Sequence, residues 1–134
     1  MILGIGMDLC DPARIADALS RHGDRFEQRC FTAGERAMAP PDPAPRAAHF
    51  ARRFAAKEAT AKALGTGFRA GIGWQMIEIT RGPHRAPAIC LHSAALNRLR
   101  DLTPAAMQPH IHLSLTDERA MAAAFVILEA RPAA

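Results

Sequence analysis

The sequence predicts an α+β fold: a single domain over residues 1–134, with an antiparallel sheet packed against one long and several short helices. Three observations carry that expectation. Strand and helix patterns do not alternate regularly, which argues against a parallel βαβ sheet. Two pairs of short apolar runs, 75–80 with 86–92 and 110–115 with 120–129, are each separated by a turn, and the first pair reads as a hairpin. One alanine-rich stretch, 46–64, has the composition and length of a long helix.

Taken in order, residues 1–9 read as a buried first strand, with Asp8 at or just past its end. Gly4 and Gly6 leave room for another backbone to approach closely. Asp11-Pro12 is a helix start, Asp at the cap and Pro in the first turn. Ile15, Ala18 and Leu19 follow at helical spacing, and Arg14, Arg21, Arg25 and Arg29 interleave with Asp17, Asp24 and Glu27 to give a basic-leaning face. Thr32-x-x-Glu35 is a capping box that opens another short helix. The stretch 39–45 holds four prolines in seven residues and reads as a loop. The long helix follows, with Gly65 as its left-handed stop. Residues 68–73 lead to the first hairpin, whose turn is 81–84. Ser93 caps a helix over 93–102, and 103–109 is a loop. A strand over 110–115, a turn at 116–119 and a strand over 120–129 close the chain, leaving a frayed RPAA tail.

Composition narrows the function classes. The net charge of +4 and pI near 9.6 favour an anionic partner without naming it. With no tyrosine and one tryptophan, the chain lacks the rings of a nucleic-acid surface built on base stacking. Cys10, Cys30 and Cys90 lie far apart without a Cys-x-x-Cys, so they read as free thiols of a cytoplasmic protein. The apolar start is short and meets Asp8 directly, against a signal peptide. No apolar run reaches membrane-spanning length, so no membrane partner is expected.

The chemistry concentrates in Arg53–Gly67. It holds the only two lysines, Lys57 and Lys62, against fifteen arginines in the whole chain. Lysine is a compact point charge where arginine is a planar fork, so one of these positions is a candidate for an ammonium on phosphate. Glu58 and Lys62, four apart, share a helix face. Asp8 is a second carboxylate that the fold can bring to them, and two carboxylates with open positions suit Mg²⁺. Taken singly, these residues read equally as a helix ion pair and a turn aspartate. Arg46, Arg53 and Lys57 share another side of the helix as a basic stripe, which reads either as an anion site or as a solvated face. His110-x-His112 shares a strand face but lacks further metal ligands and reads as structural.

The segments Ile5-Gly6-Met7-Asp8, Arg14-Ile15, Phe31-Thr32-x-x-Glu35, Arg53-Phe54-Ala55-Ala56-Lys57-Glu58-Ala59, Lys62-Ala63-x-Gly65-Thr66-Gly67, Ile77-Glu78-Ile79 and Ser114-Leu115-Thr116-Asp117 occur together in this order. In them the chain resembles the small 4′-phosphopantetheinyl transferases of the holo-acyl-carrier-protein synthase type. The resemblance covers nearly the whole sequence; the Arg53–Gly67 block is its specific part.

The resemblance implies an enzyme that moves phosphopantetheine from coenzyme A to a serine of an apo acyl carrier protein, releasing adenosine 3′,5′-bisphosphate. It implies the family's α+β fold, a homotrimer with coenzyme A in clefts between subunits, and Mg²⁺ on Asp8 and Glu58. Catalysis falls to Asp8, Glu58 and Lys62, with either carboxylate as the base. Arg53, Lys62, Gly65, Ser114 and Thr116 are expected to bind coenzyme A. Arg14 matches a position that meets the acidic helix of the carrier protein, and Arg21 and Arg25 join it by charge. Two departures stand out: Asp117 occupies a position where many family members carry histidine, and the proline-rich loop 39–45 is unusual, leaving open which arginine, Arg46 included, reaches the 3′-phosphate. A rival reading, a basic RNA-binding module, leaves Asp8 and Glu58 unexplained.

Overall fold

The computed structural model describes residues 1–134. The elements run β1 (Ile2–Cys10), α1 (Pro12–His22), α2 (Asp24–Cys30), α3 (Ala33–Ala37), α4 (Pro43–Ala63), β2 (Ile77–Arg81), β3 (Pro87–Leu91), α5 (Ser93–Leu102), β4 (Met107–Glu118) and β5 (Met121–Pro132). Strands β1, β5 and β4 form one antiparallel sheet in that spatial order, while β2 and β3 form a separate hairpin. The predicted α+β class holds.

Helix α4 starts three residues before the sequence suggests. Pro43 and Pro45 fall in its first turn, where a missing N–H costs nothing, so half of the proline-rich stretch is helix. It ends where expected: Gly65 has φ +79° and returns its N–H to the Lys62 carbonyl at 3.0 Å. The capping box is made in both directions, Glu35 N to Thr32 Oγ1 at 3.2 Å and Thr32 N to Glu35 Oε1 at 2.8 Å. Asp11 caps α1 through a 2.8 Å bond from the Ala13 N–H.

Three expectations shift at the C-terminal half. Ser93 does not cap α5: its φ is +51°, His92 holds the cap position, and no side chain bonds there. Strand β4 begins at Met107 and runs through Pro109 because it is a sheet edge, where a proline forfeits no ladder bond. The tail is not frayed: β5 runs to Pro132, the N-terminal ammonium bonds the Ala130 carbonyl at 2.6 Å, and the Ala133 N–H bonds the Ala106 carbonyl at 3.1 Å.

The fold is held by α4 lying on β1 and β5. Small residues on both sides let the backbones approach. A Cβ on Gly4 would stand 1.9 Å from the Ala63 carbonyl oxygen, and one on Gly6 1.7 Å from that of Ala59. Alanine at 122, 124 and 130 of β5 faces the same way and is buried. Five of the six phenylalanines join the single tryptophan in one aromatic chain on the far side of α4. Phe68 stacks on Trp74 (3.8 Å between centroids), Trp74 on Phe54 (4.6 Å), and Phe26 links these to Phe31 and Phe50.

The opposite face of the three-stranded sheet is uncovered. Ile2, Ile5, Met7 and Leu9 of β1 and Met121 and Phe125 of β5 are each between 41% and 58% exposed. Ile5 is opposite Ile127, and Met7 opposite Phe125, so these side chains form one continuous apolar surface. Ser114 and Thr116 of β4, paired with Phe125 and Ala123, lie on this same outer face.

Candidate active site

The approach of β1 to α4 builds the site. Gly4 lies over Ala63 and Gly6 over Ala59, so the next inward residue, Asp8, is delivered to the side of α4 that carries Glu58 and Lys62. Asp8 is within β1 rather than past its end. The Lys62 ammonium donates to Asp8 Oδ1 at 2.9 Å and to the Met7 carbonyl at 3.0 Å, with the Lys62 side chain about half exposed (54%) and that of Asp8 at 12%. Glu58, one turn before Lys62, stands beside Asp8. Burial, then the Asp8 charge, pushes the Glu58 carboxyl above the ordinary carboxylate range, while Arg14 and Lys62 pull it back. Arg14 is exposed on α1, its guanidinium 5.6 Å above the Phe54 ring.

Two adjacent carboxylates whose ionisation is mutually opposed suit an oxygen-ligated cation, which would relieve that opposition. No third His, Cys, Asp or Glu joins them. Such a donor set fits Mg²⁺, which retains waters and takes phosphate oxygens, better than it fits zinc. Cys10, next along β1, offers no rival nucleophile: it is buried, and burial raises its thiol to about 11.

The structure does not gather all the predicted ligand-binding residues on one side of the chain. Asp8, Glu58 and Lys62 are together, and Gly65 follows Lys62 at the end of α4. Arg53 lies nine residues before Lys62, roughly 180° around the helix at 100° per residue. It is buried, donates to the His49 carbonyl at 3.2 Å and leaves its Nε without a partner. With Arg52, Arg81 and Thr80 it lines a cavity of about 180 Å³. Ser114 and Thr116 are on the outer sheet face, away from α4. Asp117, in the position where the resemblance leads one to expect histidine, receives Arg52 at 3.2 Å. Arg21 is exposed and paired with Asp17 at 3.2 Å.

The basic stripe of α4 is neither solvated nor free. Arg46 is locked on Glu27 by a two-pronged pair, Nε to Oε2 at 2.9 Å and Nη2 to Oε1 at 2.6 Å, with Nη1 on the Pro40 carbonyl. Its fork is committed, so it is not a free cation for a 3′-phosphate. Lys57 is fully buried. It meets Glu35 Oε1 at 2.7 Å and the Trp74 carbonyl at 2.9 Å. The reading of Lys57 as a solvated or ligand-facing cation is corrected: the capping glutamate of α3 is its partner, and Glu35 also accepts the Ile79 N–H at 2.8 Å. Sequence spacing carries no sign of that pairing, because a capping box accounts for Glu35 by itself. Arg98 was likewise missed; it donates to the Leu64 carbonyl at 2.9 Å, beneath Gly65.

The model of the 4′-phosphopantetheinyl transferase superfamily matches residues 4–125. The chain belongs to this superfamily. It is 54% identical over 132 residues to a holo-[acyl-carrier-protein] synthase of Methylobacterium radiotolerans, covering 98% of this chain and 96% of the relative. Among solved structures, the holo-[acyl-carrier-protein] synthase of Neisseria meningitidis superposes with a TM-score of 0.81 at 32% identity, over 96% of this chain and 99% of that one. A Bacillus anthracis holo-(acyl-carrier-protein) synthase in complex with CoA (3′,5′-ADP) superposes with a TM-score of 0.72 at 29% identity, over 96% of each chain. The resemblance read from the motifs therefore holds at the level of family, fold and enzyme class, a transferase.

Proposed function

We propose that this transferase moves the 4′-phosphopantetheine group of coenzyme A onto a serine of an apo acyl carrier protein, with Mg²⁺, releasing adenosine 3′,5′-bisphosphate. The observation that carries the reading is Asp8 brought by β1 onto Glu58 and Lys62, inside a chain matched by the superfamily model over residues 4–125. The relative complexed with CoA supports the donor.

The serine hydroxyl attacks the phosphorus that bears pantetheine, and the bond to the adenylate phosphate breaks. Phosphoryl transfer asks mainly for alignment and charge neutralisation. Asp8 and Glu58 would hold Mg²⁺, which supplies neutralisation of the pyrophosphate charge. Lys62 leaves Asp8 for the phosphate and stabilises the departing bisphosphate. The serine proton passes to one of the two carboxylates, Asp8 or Glu58, that stand beside each other at the site. Arg14 and Arg21, exposed on α1, steer the acidic carrier protein.

The active unit is a homotrimer. The uncovered apolar sheet face supports this, and so does the division of the ligand-binding residues. A cleft shared by two copies unites Lys62 and Gly65 of one with Arg53, Ser114 and Thr116 of the next, which no single chain does. No helix is long and apolar enough to cross a membrane. The free thiols Cys10, Cys30 and Cys90 support a reducing, cytoplasmic setting, and fatty-acid synthesis is the reading for the acceptor. Mass spectrometry of apo carrier proteins incubated with the enzyme, coenzyme A and Mg²⁺ tests the reading. A phosphopantetheine mass gain that requires Mg²⁺ is expected; no gain on any carrier overturns it.

A further inference from the structure

The C-terminal end of α4 is where the site meets its binding turn, and it is finished by a residue from a different element. Of the carbonyls in the last turn, that of Ala61 accepts from the Gly67 N–H at 3.1 Å and that of Lys62 from the Gly65 N–H at 3.0 Å. The Ala63 carbonyl faces Gly4 of β1. The Leu64 carbonyl is satisfied by the side chain of Arg98, whose Nε donates at 2.9 Å. Arg98 Nη2 also stands 3.4 Å from where a Cβ on Gly65 would be, so the guanidinium is in contact with the turn. That turn is conformationally demanding, with φ of +79° at Gly65 and +60° at Gly67. Glycine adopts such angles at little cost in energy but has the most conformations to escape into. A cation at this end also opposes the negative pole of a 21-residue helix. On its other side Arg98 borders a cavity of about 320 Å³ with Thr66, Asn97 and Asp101.

We propose that Arg98 is a positioning residue for coenzyme A: by capping α4 from α5, it holds the Gly65–Thr66–Gly67 turn, and with it Lys62, in the arrangement that receives the donor's phosphates. This rests on the function proposed above. Lys62 has a half-exposed side chain and its own carbonyl is tied to the turn. A loosened turn therefore frees the backbone that carries the ammonium, while the Asp8–Glu58 pair and the α1 face remain in place. The role predicts a split in the kinetics, with donor binding affected and acceptor binding spared.

The test compares Arg98→Gln and Arg98→Lys with Arg100→Gln, an exposed charge on the same helix. Arg98→Gln is expected to raise the KM for coenzyme A about tenfold and, because Lys62 also acts on the departing bisphosphate, to lower kcat about threefold, with the carrier-protein KM within about twofold of the parent. Arg98→Lys, which keeps the charge without the planar fork, leaves an intermediate rise of about threefold, and Arg100→Gln matches the parent. Amide hydrogen exchange at 64–68 quickens about tenfold in Arg98→Gln, with 47–60 unchanged. An unchanged coenzyme A KM, a parallel fall in all kinetic parameters, or exchange that quickens throughout α4 would each overturn the role. If Arg98→Gln does not fold, Arg98→Lys carries the same comparison, and a coenzyme A KM equal to the parent's overturns it. The exchange readout needs no substrate. Should the parent transfer nothing to any carrier, the functional reading fails while exchange still decides whether Arg98 holds the turn.

Discussion

Lys57 and Lys62 stand five residues apart on one helix, and each meets a carboxylate at nearly the same distance, 2.7 Å to Glu35 and 2.9 Å to Asp8. Their surroundings differ completely. Lys57 and Glu35 have no exposed side-chain surface, while the Lys62 side chain is 54% exposed. Distance therefore says little about what an ion pair does; desolvation decides. Two charges taken fully out of water are each a liability without the other, so the buried pair is obligatory and ties α3, α4 and the start of β2 together. A pair whose lysine is open to water contributes less to stability, and that lysine is free to leave for a ligand. One lysine belongs to the fold and the other to the chemistry.

Removing Lys57 is the largest expected insult. Lys57→Met strands the Glu35 charge in the core and costs about 3–5 kcal/mol, which lowers Tm by about 10 °C or more for a chain of this size. A thermal melt by circular dichroism checks it; loss of activity without loss of Tm would erase the distinction between the lysines. Lys62→Ala is expected to do the reverse. Turnover falls about 10²- to 10³-fold, and stability moves by less than about 0.5 kcal/mol. A matching fall in Tm would place Lys62 with the structural pair.

Acid sharpens the comparison, because a buried neutral group must charge. His49 is buried and its Nε2–H donates to the Glu35 carbonyl at 3.0 Å; burial, then Arg53, lowers its pKa from 6.5 to about 4. The folded state thus binds fewer protons than the unfolded chain between these values. Its contribution is full above pH 6.5 and is lost as the pH falls towards 4, about 3 kcal/mol in all. Urea unfolding across that window should show the slope, and His49→Gln should flatten it.

The smallest effect is expected from Glu58→Gln on stability. A carboxyl raised in the folded state binds its proton more readily there, so its ionised form costs stability above the raised pKa and nothing well below 4.5. Glu58→Gln should leave Tm at neutral pH unchanged or slightly higher, by less than about 1 kcal/mol because the group is partly open to water. Transfer activity should nearly vanish. A clear loss of Tm at neutral pH would instead make Glu58 structural.

Much of this was legible in the residues themselves. Local signals placed the Asp11 cap, the Thr32–Glu35 box, the Gly65 stop and the β2–β3 hairpin, because each depends on neighbours within a few positions. Helical spacing put Glu58 and Lys62 on one face, and the two glycines of β1 announced a close backbone approach. The errors arose where a second element decides. Pro43 and Pro45 read as loop because prolines punctuate, yet a first helical turn accepts them. Ser93 read as a cap until the chain's path gave that position to His92.

The sequence by itself determined the helix that carries the chemistry, the residue types on it and the family to which they belong. Only the tertiary structure decided which lysine is buried, that Asp8 reaches Lys62, that Arg46 is already spent on Glu27, and that Arg98 closes the end of α4. The reason is the same in each case. Charge and periodicity are local properties of a chain, but desolvation and pairing depend on what another segment, tens of residues away, brings to the same place.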